Sequence, residues 1–134
     1  MTVTCLCGAV RVTTDTRPEL VHECNCRLCR ASGARWAYFS PTQVRVEGAT
    51  SGFVRKDKPG AGAMLRFCPM CGTTTHFTLT DEMAARHGDS VMGVNVRPVP
   101  EAELVGIELR YPDGANWSGE GAFGYVRPAR VIGN

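Results

Sequence analysis

Apolar and polar residues alternate in short runs along this chain. In "GAVRVTT" (residues 8–14), Val10 and Val12 fall on one side and Arg11 and Thr13 on the other, the period of two of a half-buried strand. "RWAYFS" (35–40), "QVRVEG" (43–48) and "TTTHFTLT" (73–80) are equally short and rich in β-branched and aromatic residues. "SVMGVNVRPV" (90–99) and "LVGIELRY" (104–111) continue the pattern. Helical turns are predicted in two places only, Arg27 to Ala34 and Asp81 to His87, the second closed by Gly88. Neither is long enough to organise a core. The fold class that follows is mainly β, an all-β or β-rich domain of many short strands with one or two helical turns.

Two stretches read as loops. "RKDKPGAGA" (Arg55 to Ala63) is basic and rich in glycine, and Arg55 to Lys58 are expected to be solvated. "YPDGANWSGEG" (Tyr111 to Gly121) has turn chemistry at Pro112-Asp113-Gly114. Trp117 within it reads either as a lid over a ligand or as an anchor to the core. No repeat, low-complexity tract or linker divides the chain, so one domain over residues 1–134 is expected.

Charge narrows the function. A net charge of +2 is too small for an electrostatic nucleic-acid binder. No apolar run approaches the ~20 residues that cross a bilayer. "MTVTCLCGAV" has no basic region followed by a long apolar core, so no signal peptide is expected. The expectation is a cytoplasmic protein with reduced thiols.

Reduced thiols make the seven cysteines a metal problem rather than a disulfide one. They are grouped: Cys5 and Cys7, then Cys24, Cys26 and Cys29, then Cys68 and Cys71. "FCPMCG" is a Cys-x-x-Cys followed by Gly72, the shape of a zinc knuckle, where glycine permits the positive φ such a turn needs. "CLC", read as extended backbone, would point the Cys5 and Cys7 sulfurs to one side. Together the two pairs make a closed four-thiolate zinc site, structural in role. Metal binding, worth about 10–16 kcal/mol, offsets the entropy of tying distant parts of the chain together. The rival redox reading of "CPMC" needs its first cysteine at a helix N-terminus, but "GTTTHFTLT" follows and reads as strand.

Cys24, Cys26 and Cys29 remain. Three protein ligands and an open fourth position mark a working zinc rather than a structural one. Three thiolates weaken the ion as a Lewis acid and favour a soft, exchangeable fourth ligand, which points to a thiol substrate and its transfer to an electrophile. His22, two residues before Cys24, could instead complete the tetrahedron, and His76 is a second candidate. His87 reads as an ordinary helix-end histidine. A zinc deaminase is excluded: proline follows Cys68 rather than preceding it, and Glu23 precedes Cys24.

"CLCGAVRV", "CNCRLCRASGA" and "FCPMCGT", in this order, resemble the glutathione-dependent formaldehyde-activating (GFA) family, which includes centromere protein V. "GVNVRPV" and the tract through Trp117 add weaker support. The resemblance implies several short-stranded antiparallel sheets bent around a structural zinc (a β-tent) held by Cys5, Cys7, Cys68 and Cys71. It implies a second, more labile zinc on Cys24, Cys26 and Cys29, near a glutathione site. The activity it implies is carbon–sulfur lyase chemistry, the condensation of formaldehyde with glutathione to S-hydroxymethylglutathione. Asn25 stands where the family commonly has histidine and is expected to face away from the metal.

Among the neighbours of the second cluster, Arg30 is the candidate for a substrate carboxylate, with Arg27 and Arg35 nearby. Ser32 and Gly33 would let a substrate approach closely or would form a turn. Trp36, Tyr38 and Phe39 read as core. The expected function is zinc-dependent binding of a small thiol such as glutathione, with an aldehyde as the second partner and neither nucleic acid nor membrane involved. The alternative is a non-catalytic module or thiol carrier with two structural zincs. The sequence assigns neither a catalytic residue nor an oligomeric state.

Overall fold

The computed structural model describes residues 1–134. It contains eleven strands and two short α-helices: β1 (Thr2–Thr4), β2 (Arg11–Thr14), β3 (Leu20–His22), α1 (Arg27–Ser32), β4 (Trp36–Phe39), β5 (Val44–Glu47), β6 (Ser51–Val54), β7 (Ala63–Phe67), β8 (Thr74–Leu79), α2 (Asp81–His87), β9 (Met92–Asn95), β10 (Glu108–Arg110) and β11 (Arg130–Val131). No helix is long and apolar enough to cross a membrane.

The strands form two sheets, one of three strands in the order β1-β2-β5 and one of eight in the order β11-β10-β3-β4-β9-β8-β7-β6. The mainly β expectation therefore holds. One pairing departs from antiparallel: β10 runs parallel to β3, Leu109 opposite Val21. A parallel neighbour needs a long connection, and nearly the whole chain between β3 and β10 supplies it.

Register gives the large sheet two faces with different duties, because residues directly opposite one another share a face. Leu109 lies opposite Val21, and Ala37 opposite Val94. These side chains, with Phe39, meet Val3 and Val12 of the small sheet, and Val10 just before it, in one buried cluster. Fully burying a valine stabilises by roughly 1.5–3 kcal/mol, so this face carries the fold. The other face carries His22 opposite Trp36, Trp36 opposite Asn95, and Tyr38 opposite Gly93, which is opposite Phe77. Cys29, Ala34 and Trp36 form a second, smaller buried cluster there, with Phe77 packed on it.

Gly93 shapes this second face. A Cβ built on it would stand 1.9 Å from the Phe77 ring, so the ring lies over the glycine. It meets Trp36 edge-on at 5.0 Å and Tyr38 at 6.3 Å. Trp36 and Phe39 are buried as expected, but Tyr38 is 38% exposed, because only the rings around it cover it.

The helices follow their local signals. In α2, the Thr80 side chain accepts from Met83 N, acidic residues open the helix, and the Gly88 N–H closes it on Ala84 O. α1 is shorter than the predicted Arg27–Ala34. It stops at Ser32, where Gly33 turns into the left-handed region and its N–H bonds to Cys29 O.

Candidate metal centres

The Sγ atoms of Cys5, Cys7, Cys68 and Cys71 all lie within 4.8 Å of one another and could hold a metal ion. Cys5 and Cys7 sulfurs are 3.7 Å apart, and Cys7 and Cys68 sulfurs 3.6 Å. A tetrahedral zinc with bonds of about 2.3 Å sets its sulfurs about 3.8 Å apart, so the spacing fits. Val10 N donates to Cys5 Sγ at 3.2 Å, and the Thr73 hydroxyl lies 3.2 Å from Cys71 Sγ. Cys68 N bonds to Thr73 O and Gly72 N to Cys68 O, closing the knuckle, with Gly72 at φ 75°. No helix follows; the next element is β8, against a redox role.

The other half of this set differs from its sequence reading. β1 ends at Thr4, and Cys5 to Ala9 form a turn rather than an extended strand. The cause is local: Gly8 N folds back onto Cys5 O, and Leu6 N is drawn to Thr73 Oγ1 across the site. Both cysteine pairs are thus turns pressed tip to tip.

The second set, Cys24, Cys26 and Cys29, also has its sulfurs within 4.8 Å of one another and could hold a metal ion. Cys24 and Cys26 are half-buried and Cys29 is buried. Cys26 is the N-cap of α1: its sulfur accepts from Cys29 N at 3.4 Å, so the helix starts on the site. Cys26 N donates to Cys24 Sγ at 3.4 Å, and the Trp36 indole N–H to Cys29 Sγ at 3.3 Å. Each sulfur therefore has an N–H aimed at it, the surroundings a thiolate requires.

Thiols this close compete for negative charge. Hydrogen bonds from the Cys24 and Cys29 thiols hold Cys26 far below the usual thiol range, helped by Cys29 N–H and the Arg55 charge. The same contacts with Cys24 and Cys26, then burial, push Cys29 up. In the first set, the Thr73 hydroxyl and backbone bring Cys71 down to about 5. Cys7 rises to about 11, the Ala9 N–H working against the pull of Cys68. A divalent cation bound there would remove this competition, since every thiolate would then share its charge.

Neither candidate histidine joins a cluster. His22 Nδ1 lies 3.1 Å from the Tyr38 hydroxyl, its ring edge-on to Tyr38 and Phe123, and its Nε2 is buried without a partner. Burial, then the Arg110 charge, lowers its pKa and keeps it neutral. His76 is buried on the opposite face of the sheet, 2.9 Å from Thr75 Oγ1. His87 ends α2.

Several partners of the second set come from the far end of the chain. Asn25 turns away from the sulfurs: its Nδ2 donates to Asp113 Oδ1 at 2.8 Å, and Ala115 N donates to its Oδ1 at 2.9 Å. This docks the 3-10 turn Gly114–Asn116 onto the cluster. Trp117 packs on Phe123 at 4.5 Å, and its indole N–H bonds to Gly121 O, so it braces its own loop. The turn at Pro112 to Gly114 is legible in the sequence, but nothing there says that it meets Cys24.

Two clefts flank α1. One of about 340 Å³ opens onto Cys24 and Cys29 and is edged by Arg30, Gly33, Arg97 and Arg127. Ser32 lies on the other, of about 520 Å³, with Arg27, Phe53 and Arg55. Of the three proposed substrate contacts, Arg30 and Gly33 thus share one cleft and Ser32 occupies the other, because Ser32 is on the opposite flank of the helix. Ser32 Oγ instead donates to Cys29 O and accepts from Ala34 N. Arg55 is not simply solvated: it forks onto Asp57 at 2.7 and 2.6 Å, and its charge reaches Cys26.

The family described as glutathione-dependent formaldehyde-activating enzyme matches residues 1–98. The crystal structure of a Rhodobacter sphaeroides protein is similar, with a TM-score of 0.58 and 29% sequence identity over 74% of this chain and 87% of that one. No curated protein matches.

Proposed function

Because this chain belongs to the glutathione-dependent formaldehyde-activating enzyme family, we propose that it binds a small thiol such as glutathione at an open zinc on Cys24, Cys26 and Cys29. There it would form or cleave thiol–aldehyde adducts of the S-hydroxymethylglutathione kind. Cys5, Cys7, Cys68 and Cys71 would hold a second, structural zinc.

The observation that carries this reading is the difference between the two clusters. One offers four sulfurs, which close a tetrahedron; the other offers three, and His22 is engaged with Tyr38 instead of supplying a fourth. A cleft reaches the three-sulfur set at Cys24 and Cys29. When bound there, zinc would supply a Lewis-acid position at which a thiol loses its proton near neutral pH. The chain's own residues exclude water on one side, through Trp36 and Phe77, and direct N–H groups at the sulfurs. Bond making is simple: the thiol sulfur joins the aldehyde carbon, the C=O π bond opens, and the thiol proton ends on the former carbonyl oxygen. Cleavage is the reverse.

The test measures zinc content before and after a mild chelator, together with glutathione binding by calorimetry. Two zincs are expected, one easily removed, with binding abolished in Cys26→Ala. Two tightly held zincs and no thiol binding would leave a structural module instead.

A further inference from the structure

The cleft that opens onto Cys24 and Cys29 has unbalanced positive charge. Its one carboxylate is Glu23, and Arg30, Arg97 and Arg127 line it. Glu23 already has a close partner in Arg35, whose Nε donates to Oε2 from outside the cleft and whose side chain is only 16% exposed. Arg97 and Arg127 also reach Glu23, so one carboxylate is shared among three guanidiniums. That carboxylate thus faces Arg35 and two of the three guanidiniums in the cleft, those of Arg97 and Arg127. Arg97 approaches Glu23 to 3.1 Å and Arg127 only to 3.8 Å.

Both guanidiniums are held in place before any ligand arrives. Asn95 Oδ1 accepts from Arg97 N at 3.0 Å, and Arg97 Nε donates to Gly33 O at 3.0 Å. Asn95 is itself fixed, since its Nδ2 donates to Thr74 O at 2.7 Å. The Arg127 guanidinium lies 3.8 Å over the Tyr111 ring, a stacked position that leaves its in-plane N–H edge for a partner. Their side chains remain 45% and 60% exposed. Guanidiniums so placed bind carboxylates through paired, charge-assisted hydrogen bonds. The cleft across α1 is basic too, with Arg27, Arg55 and Lys56 beside Asp57, but there Arg55 is already forked onto Asp57. No cysteine lines that cleft.

We infer that Arg97 and Arg127 form a carboxylate subsite beside the three-cysteine centre, so that the thiol taken there is a small one that carries an acid group. The inference rests on the thiol-site reading above. A cavity of about 340 Å³ is near the small end of ligand pockets, which suits a compact thiol acid. Arg127 lies beyond the span matched by the family, so the C-terminal segment of this chain supplies half of the subsite.

The experiment compares 3-mercaptopropionate with 3-mercapto-1-propanol, which differs by the charged group, on the zinc-loaded chain by calorimetry. The acid is expected to bind about tenfold tighter at low salt. That preference should shrink as salt rises, since the screening length falls from about 30 Å at 0.01 M to about 3 Å at 1 M. The Arg97→Gln/Arg127→Gln variant should bind both thiols equally, near the alcohol's affinity. Arg127→Gln alone, which spares the close Glu23 contacts, should lose part of the preference with zinc content and melting temperature unchanged. Lys56→Gln, in the other cleft, should retain it all. Equal affinities in the unaltered chain, or a preference that survives both arginine variants, would overturn the subsite alone. If neither thiol binds, the thiol-site reading falls and this inference with it.

Discussion

Gly114 and Cys24 approach more closely than any side chain at position 114 would allow: a Cβ built on the glycine would stand 2.3 Å from the Cys24 sulfur. The turn is pinned there by Asn25, which bonds to Asp113 on one side and Ala115 on the other. Gly114→Ala must therefore displace the sulfur or release the turn. Losing such support typically costs 10–100-fold in metal affinity. A competitive chelator titration should show one zinc weakened by about that factor and the four-cysteine zinc unchanged. Equal weakening of both would mean that the turn supports the whole fold rather than one site.

Gly93→Ala tests the second face of the large sheet. A methyl group 1.9 Å from the Phe77 ring forces that ring off Trp36 and Tyr38. Overpacking of this kind costs about 1–3 kcal/mol. Urea unfolding should show a lower midpoint with an unchanged slope. Trp36 fluorescence should shift as well, because the indole loses its edge-on neighbour.

The site was legible in the sequence wherever the chemistry is local. Cysteine spacing separated a four-ligand group from a three-ligand group, and the structure brings those same sulfurs together in both. α2 was legible to the residue because Thr80, Asp81, Glu82 and Gly88 all state its ends locally. β1, β3, β6, β7 and β11 were not anticipated. Each has two to five residues and is a strand because of its neighbours rather than its own pattern. The same reason hid Gly114, Arg97 and Arg127: their roles depend on partners far away in the chain, as Arg97 on Glu23 across 74 positions. Asn25 is a mixed case. Its turning away from the metal was expected, but its grip on Asp113 was not.

Acid should weaken the fold in part through His76. Burial, then the Arg66 charge, lowers its pKa from the ordinary value of 6.5 to about 4. In the unfolded chain it takes up a proton near 6.5, but in the fold only near 4. The unfolded state therefore binds more protons between these limits, and stability falls as pH falls through them, by up to about 1.4 kcal/mol per pH unit for one full proton. His76→Gln removes this contribution. Comparing the two chains by urea unfolding at pH 7.5 and 5 cancels the acid release of zinc, which both share. The gap between them should change with pH in the sense that favours the variant at pH 5. A gap independent of pH would show that His76 does not titrate in this window.

The two clusters should respond differently when one ligand is removed. Cys68 is fully buried, belongs to the main core and stands where β7 turns towards β8. Cys5 and Cys7 of the same set come from the turn after β1, so a metal held there would join the small sheet to the large one. Cys68→Ser buries a hydroxyl among apolar groups and opens that junction. Removing a structural zinc ligand puts a metal contribution of about 10–16 kcal/mol at stake. The expected result is loss of cooperative unfolding, or a chain that folds only with excess zinc. Cys26 is half-buried, and its sulfur caps a helix of six residues. Loss of such a cap costs about 1 kcal/mol. Cys26→Ser keeps a capping oxygen, so the fold should survive with one zinc fewer and a melting temperature lowered by only a few degrees. Zinc content and thermal unfolding of the two variants decide the matter. If Cys26→Ser costs as much as Cys68→Ser, both metals are structural, and the open position on which the thiol chemistry depends does not exist.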